Sequence, residues 1–175
     1  RDCLVHCGSL SKVLSPGLRI GWLVAPPELL AKAVMCKQFS DAHTSTFAQA
    51  TAAQYLQGGR LGATLERVRQ VYAERAQAMG AALRSELGDA IDFVPPQGGL
   101  FIWARLTGQG RASGAGAVPA DGAALAQRAI AQGVAFVPGQ PFYASQPDPA
   151  TLRLSFATVG LERIREGVAR LARAL

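Results

Sequence analysis

No run of apolar residues in this 175-residue chain is long enough to cross a bilayer, although 49% of the residues are hydrophobic. A soluble chain with a respectable buried core is therefore expected. Cysteine is scarce: Cys3, Cys7 and Cys36 are an odd number, which argues against a disulfide framework and for reduced, mostly buried thiols. Histidine is scarcer still. His6 and His43 have no evident partner, and nothing completes a metal site around Cys3 and Cys7, so no metal ligand set is assigned. The first residue is arginine, and no charged-then-apolar leader precedes a cleavage site. The cytoplasm is the expected location.

Charge of one sign does not dominate locally, despite a formal net charge of +6. Nucleic-acid binding calls for clustered cations that release counterions from phosphates. Here Arg67, Arg69, Arg75 and Arg84 alternate with Glu66, Glu74 and Glu86 along one predicted helix. That pattern reads as a solvated, salt-bridged face, and no direct nucleic-acid contact by this chain is expected.

Two short apolar segments, Cys3 to Cys7 and Leu18 to Ala25, read as strands flanking a loop. Their apolar character suggests a parallel sheet covered by helices, which they cannot complete alone. Helices are predicted over Glu28 to Gln38 and over Thr46 to Gln57, the second stopped by Gly58-Gly59. A long amphipathic helix should run from Leu61 to Leu87, with Leu65, Val68, Tyr72, Met79, Leu83 and Leu87 as core positions. Strands at Ile91 to Val94, Leu100 to Arg105, Val134 to Val137 and Leu152 to Phe156 follow, with helices at Gly122 to Gln132 and Leu161 to Leu175. Gly108 to Ala120 is rich in glycine, alanine and serine and reads as a mobile loop.

What stands out chemically is Lys12, in Gly8-Ser9-Leu10-Ser11-Lys12-Val13-Leu14-Ser15-Pro16-Gly17-Leu18-Arg19. A lysine amine is a nucleophile once its charge is suppressed, and hydroxyls, backbone amides and a guanidinium suit a phosphate. An amine that attacks carbonyls beside a phosphate cradle suggests pyridoxal phosphate. Ser9-Leu10-Ser11-Lys12 also fits the Ser-x-x-Lys pattern of penicillin-binding proteins and β-lactamases, but Lys-Thr-Gly is absent and Ser40-Asp41-Ala42 departs from Ser-Asp-Asn. In the predicted strand around Arg153, alternation puts that arginine on the face opposite Leu152 and Leu154. Gly98-Gly99 and Pro138-Gly139 are either devices for close approach to a ligand, with Phe142 or Tyr143 lining a pocket, or simple strand-entry turns.

The segment Ser-x-Ser-Lys-x-x-x-Pro-Gly-x-Arg-x-Gly-Trp resembles the cofactor-lysine segment of fold-type I pyridoxal-phosphate aminotransferases of class I/II. Further pieces follow in that family's order: Pro96-Gln97-Gly98-Gly99-Leu100-Phe101-Ile102-Trp103, Gly133-Val134-Ala135-Phe136-Val137-Pro138-Gly139, and Leu152-Arg153-Leu154-Ser155-Phe156. The likeness covers essentially the whole chain and is nearest to aminoadipate-type transaminases and the aminotransferase-like domain of MocR-type (GntR family) regulators. It implies an α+β (α/β) fold, with residues 1–58 the end of a large cofactor domain and 59–175 a small C-terminal α+β domain. It implies that Lys12 is the internal aldimine lysine, that Ser9 and Arg19 contact the cofactor phosphate with Ser11 helping, and that Arg153 binds the substrate α-carboxylate.

The same resemblance places an aspartate under the pyridine nitrogen, an aromatic residue on the ring, and an asparagine and tyrosine near O3′ upstream of the lysine. None can be assigned here. The chain is thus expected to be the later part of a longer protein, inactive alone, with bare apolar surface on its leading segment that invites self-association. The parent is expected to be a homodimer that exchanges an amino group between an amino acid and a 2-oxo acid. The alternative is the effector-sensing domain of a MocR-type regulator.

Overall fold

The computed structural model describes residues 3–108 and 120–175. The chain divides into two compact units, Arg1–Arg67 and Val68–Leu175. In the first, β1 (His6–Ser9) and β2 (Gly21–Val24) pair antiparallel, with Gly8 opposite Trp22. They do not form the parallel arrangement that their apolar character suggests. The connection Leu10–Ile20 contains no crossover helix, so the chain can only return alongside itself. β1 begins later than Cys3 and β2 ends before Ala25, which leaves Leu4 and Val5 exposed. Gly8 is required by close packing: a Cβ there would come within 2.0 Å of the Trp22 ring.

Two helices follow. α1 (Pro27–Asp41) starts with proline in its first turn, where the missing N–H costs no hydrogen bond. α2 (Thr46–Gln57) is capped by Ser45, whose hydroxyl accepts from the Ala48 N–H at 3.3 Å, and ends at Gly58. The core of this unit is small and includes Leu10, Ala48 and Ala52. α1 buries none of its residues, and Val34, Met35 and Phe39 lie open, Phe39 by 85%. A helix that is apolar on several sides yet uncovered marks a surface suited to burial. Cys3, Cys7 and Cys36 are all free but exposed, contrary to the expected burial, because the elements that carry them have no covering layer.

α3 (Leu61–Leu87) matches the predicted span and crosses the division between the units. Only its later half is deeply buried, through Met79, Leu83 and Leu87; Leu65, Val68 and Tyr72 are half-covered. Its arginines are not all solvated. Arg75 donates to the Ala157 carbonyl, and the Arg84 guanidinium sits 5.0 Å from the centre of the Phe93 ring. Arg75 and Arg84 thus make contacts within the second unit, since a guanidinium bonds carbonyls and stacks on rings as readily as it meets carboxylates.

The second unit is a four-stranded antiparallel sheet in the order β3-β4-β6-β5, made of β3 (Ile91–Phe93), β4 (Phe101–Leu106), β5 (Val137–Pro138) and β6 (Thr151–Ser155). α3, α4 (Gly122–Ala131) and α5 (Leu161–Ala174) share one apolar core with its inward face. Ile102, Ala104 and Leu106 of β4 and Leu152 and Leu154 of β6 face that core with Leu83, Leu125 and Leu171. Asp121 caps α4 by accepting from the N–H groups of Ala123 and Ala124. Gly139 lies against Thr151, where a Cβ would meet the Thr151 hydroxyl at 2.1 Å, so this glycine serves packing within the sheet edge. β5 is shorter than predicted: only Val137 of the Val134–Val137 segment pairs with β6. The segment read as a mobile loop falls, over 109–119, outside the described residues.

Leu83 is fully buried whereas Phe39 is almost fully exposed. Leu83→Ala is expected to destabilise the second unit by roughly 2–5 kcal/mol in urea unfolding, and Phe39→Ala to change stability by no more than about 0.5 kcal/mol.

Candidate active site

In the first unit, Ser9, Ser11, Lys12 and Arg19 gather on the β1–β2 hairpin. Its turn is organised around Leu10, whose N–H donates to the Ile20 carbonyl at 3.0 Å and whose carbonyl accepts from Val13, Leu14 and Ser15. Burial of the Leu10 side chain pins the turn. Two residues on, the Lys12 side chain is exposed, with neither hydrogen bond nor ion pair among the described residues. The Ser9 hydroxyl accepts from the Ser11 N–H at 3.0 Å and lies 3.4 Å from the Ile20 carbonyl. These local bonds tie the backbone down and leave the amine free.

Arg19 adopts a left-handed conformation, φ 53° and ψ 39°, at the end of a short 3₁₀ turn. For a side-chain-bearing residue this costs roughly 1–2 kcal/mol. The turn holds it there through Pro16, whose carbonyl accepts from both the Arg19 N–H at 3.4 Å and its guanidinium at 3.3 Å. Strain of this kind, maintained by surrounding bonds, is common where a side chain must be aimed at a ligand.

In the second unit, alternation along β4 and β6 sends Phe101, Trp103 and Arg105 outward from one strand and Arg153 and Ser155 from the other, with Trp103 directly opposite Arg153. The Arg153 guanidinium carbon lies 4.4 Å from the ring centres of both Phe101 and Phe142. Trp103 in turn meets Phe142 edge-on at 5.8 Å and Tyr143 at 6.1 Å. Rings on the guanidinium leave its in-plane N–H edges for an acceptor. Its Nε is buried without a hydrogen-bond partner. Arg105 on the same face differs, because its Nε donates to Asp148 at 2.8 Å. The Ala150 N–H and then the Arg105 guanidinium hold the Asp148 carboxyl below its ordinary value. Of these two arginines, Arg105 carries its own carboxylate, and Arg153 has none among the described residues.

Phe101 as a partner of Arg153 was not singled out from sequence. The period-2 alternation of Phe101, Trp103 and Arg105 carries the signal, but the cross-strand register is needed to place them beside Arg153. Phe142 and Tyr143 do stand near this arginine's surroundings, Phe142 by direct stacking. His43 is not without a contact: its Nδ1 lies 3.0 Å from the Thr44 carbonyl. No group of three or more metal-ligating side chains exists among the described residues, and no described helix is long and apolar enough to cross a membrane.

The family model for class I and II aminotransferases matches residues 1–171, and the chain belongs to that family. Over 172 residues it is 45% identical to the 2-aminoadipate transaminase of Thermus thermophilus, covering 98% of this chain and 41% of that protein. A crystal structure of an α-aminoadipate aminotransferase from Thermus thermophilus, complexed with N-(5′-phosphopyridoxyl)-L-leucine, matches with a TM-score of 0.86 at 44% identity, covering 98% of this chain and 41% of that one. The chain is also 34% identical over 177 residues to the HTH-type transcriptional regulator TauR of Rhodobacter capsulatus, covering 98% of this chain and 34% of the regulator. It therefore spans about two-fifths or less of the length of these relatives.

The backbone reading of Arg19 is testable by unfolding. Arg19→Gly, free of the left-handed penalty, is expected to stay within about 1 kcal/mol of the parent, and Arg19→Val to lose about 1–2 kcal/mol or more. Equal stability of the two variants would show that the conformation is unstrained.

Proposed function

We propose that the chain is the lysine-bearing and C-terminal portion of a pyridoxal-phosphate-dependent aminotransferase, whose whole form moves an α-amino group between an amino acid and a 2-oxo acid. The observation that carries this reading is the free amine of Lys12 on a turn that also bears Ser9, Ser11 and Arg19, in a chain of the aminotransferase family. Residues 1–58 are read as the end of the cofactor domain and 59–175 as the smaller C-terminal domain. A cytoplasmic location accompanies this reading.

The donor set fits the cofactor's two reactive ends. Pyridoxal phosphate supplies, when bound, an electrophilic carbonyl and an electron-withdrawing ring. Lys12 would hold the cofactor by its amine at the carbonyl carbon, with release of water, and when freed would carry a proton at the substrate Cα. The Ser9 hydroxyl has only a long contact to the Ile20 carbonyl and can turn its proton to a phosphate oxygen. Ser11 offers a second hydroxyl, and Arg19 a planar pair of charged donors. Arg153, held between rings, presents its in-plane edge to the substrate α-carboxylate.

The 175-residue chain alone is expected to bind pyridoxal phosphate weakly and to show no amino-transfer turnover. Incubation, borohydride reduction and peptide mapping should place the pyridoxyl group on Lys12, and Lys12→Ala should remove it. Arg19→Gly should weaken binding by roughly tenfold or more, as for loss of a charge-assisted hydrogen bond. Labelling spread equally over Lys32 and Lys37, the other lysines, would reject Lys12. Tight stoichiometric binding with turnover would reject the inactivity of the chain alone.

The uncovered apolar residues of the first unit support a homodimer as the assembled form. Sedimentation velocity of the chain should show mass rising with concentration. A monomer at every concentration would count against self-association.

The similarity to TauR favours a second reading, in which the same site senses cofactor or amino acid and a separate domain contacts DNA. The coding sequence ahead of Arg1 discriminates between the two: a winged-helix segment supports the regulator, and a direct start into the cofactor domain supports the enzyme.

A further inference from the structure

Thr151, 2% exposed at the start of β6, is the one buried polar residue among the described residues. A buried hydroxyl needs a partner, and this one donates to the Asp148 carbonyl at 2.8 Å. The Thr151 carbonyl accepts from the Gly139 N–H at 2.7 Å. Gly139 is itself buried against the Thr151 side chain, with no room between them for a Cβ. Thr151 therefore holds both ends of the segment Gly139–Asp148 at one point, while residues 141–147 between them are exposed.

The Asp148 end is fastened twice more. Its carboxylate accepts from the Ala150 N–H at 2.9 Å and from Arg105 Nε at 2.8 Å, and Arg105 stands opposite Thr151 in the ladder. A surface loop whose ends meet in this way keeps its shape through those end contacts and its own side chains. This loop carries Phe142 and Tyr143. A short 3₁₀ turn, Gln140–Phe142, follows Gly139, and in it the Phe142 N–H donates to the Gly139 carbonyl at 3.0 Å. The Phe142 ring, 49% exposed, meets the Arg153 guanidinium and Trp103. Phe101 reaches the same guanidinium from β4, within the sheet. One ring on Arg153 is thus set by the sheet and the other by the loop.

We infer that Thr151, with Asp148, is a positioning residue: by closing the loop it seats the Phe142 ring on Arg153 and so fixes the plane of the guanidinium. Neither residue has to touch a ligand for this. An arginine side chain has many rotamers, and a fork already held in one plane loses less freedom when it meets a planar acceptor. The consequence for binding rests on the reading of Arg153 as the carboxylate arginine; the hold on the ring does not.

The test is NMR of the isotope-labelled 175-residue chain, reading the Arg153 Nε–H resonance, assigned by its loss in Arg153→Lys, and titrating with sodium acetate. Ring currents of Phe101 and Phe142 should place that resonance upfield of the exposed arginines. Thr151→Val keeps the side-chain shape and removes the donor, so roughly half of the upfield displacement should vanish as one ring of two is released. Acetate affinity should fall about three- to tenfold in the same variant. Thr151→Ser, which keeps the hydroxyl, should match the parent in both readouts. Phe142→Leu should reproduce the change in displacement, and the double variant should add nothing to it. Should Thr151→Val not fold, Asp148→Ala, at a half-buried side chain, takes its place in the same cycle. A resonance unchanged from the parent overturns the inference, as does acetate binding of equal affinity in parent and variant. Thr151→Ser behaving like Thr151→Val would assign the effect to packing and overturn it too. Acetate that moves no Arg153 resonance in the parent rejects the carboxylate reading instead, and the hold on Phe142 is then decided by the resonance alone.

Discussion

The register of β4 against β6 sets both the core and the exposed chemistry of the second unit, because alternate residues of a strand must go to opposite faces. With Trp103 opposite Arg153, Ile102, Ala104, Leu152 and Leu154 all enter the core. A slip of one residue in β6 would carry Arg153 toward that core and expel two leucines. Burying a guanidinium without a counter-charge is costly, so the apolar core and the outward arginine enforce the same register from opposite sides.

The first unit is held by different means. Its hairpin depends on main-chain bonds converging on Leu10 and on one pinned side chain, not on a broad core. The backbone around Lys12 is thereby restrained while its amine is not. α1 stands apart from both, since it buries none of its residues and its apolar side chains face water.

Much of this architecture was legible along the chain. The three-and-four spacing of α3 and the Gly58-Gly59 stop after α2 mark element ends that the structure reproduces, because helix periodicity and glycine caps act locally. Strand limits were less legible. Val134–Phe136 has strand composition yet leaves the ladder, since pairing depends on a neighbour that local preference does not see. The cysteines were misjudged for a related reason: a small apolar residue type predicts burial only where another layer exists to bury it.

Sequence by itself determined the chemistry on offer: a lysine among hydroxyls, an arginine seven residues on after Pro16-Gly17, and a second arginine set among strand residues of alternating polarity. Residue type and local spacing suffice for that, because nucleophilicity and donor geometry belong to the side chain. Only the tertiary structure decided which arginine meets a carboxylate, which one is stacked on rings, and which rings clasp it. Those outcomes arise from contacts between segments far apart in the chain, where Phe101, Phe142 and Arg153 meet.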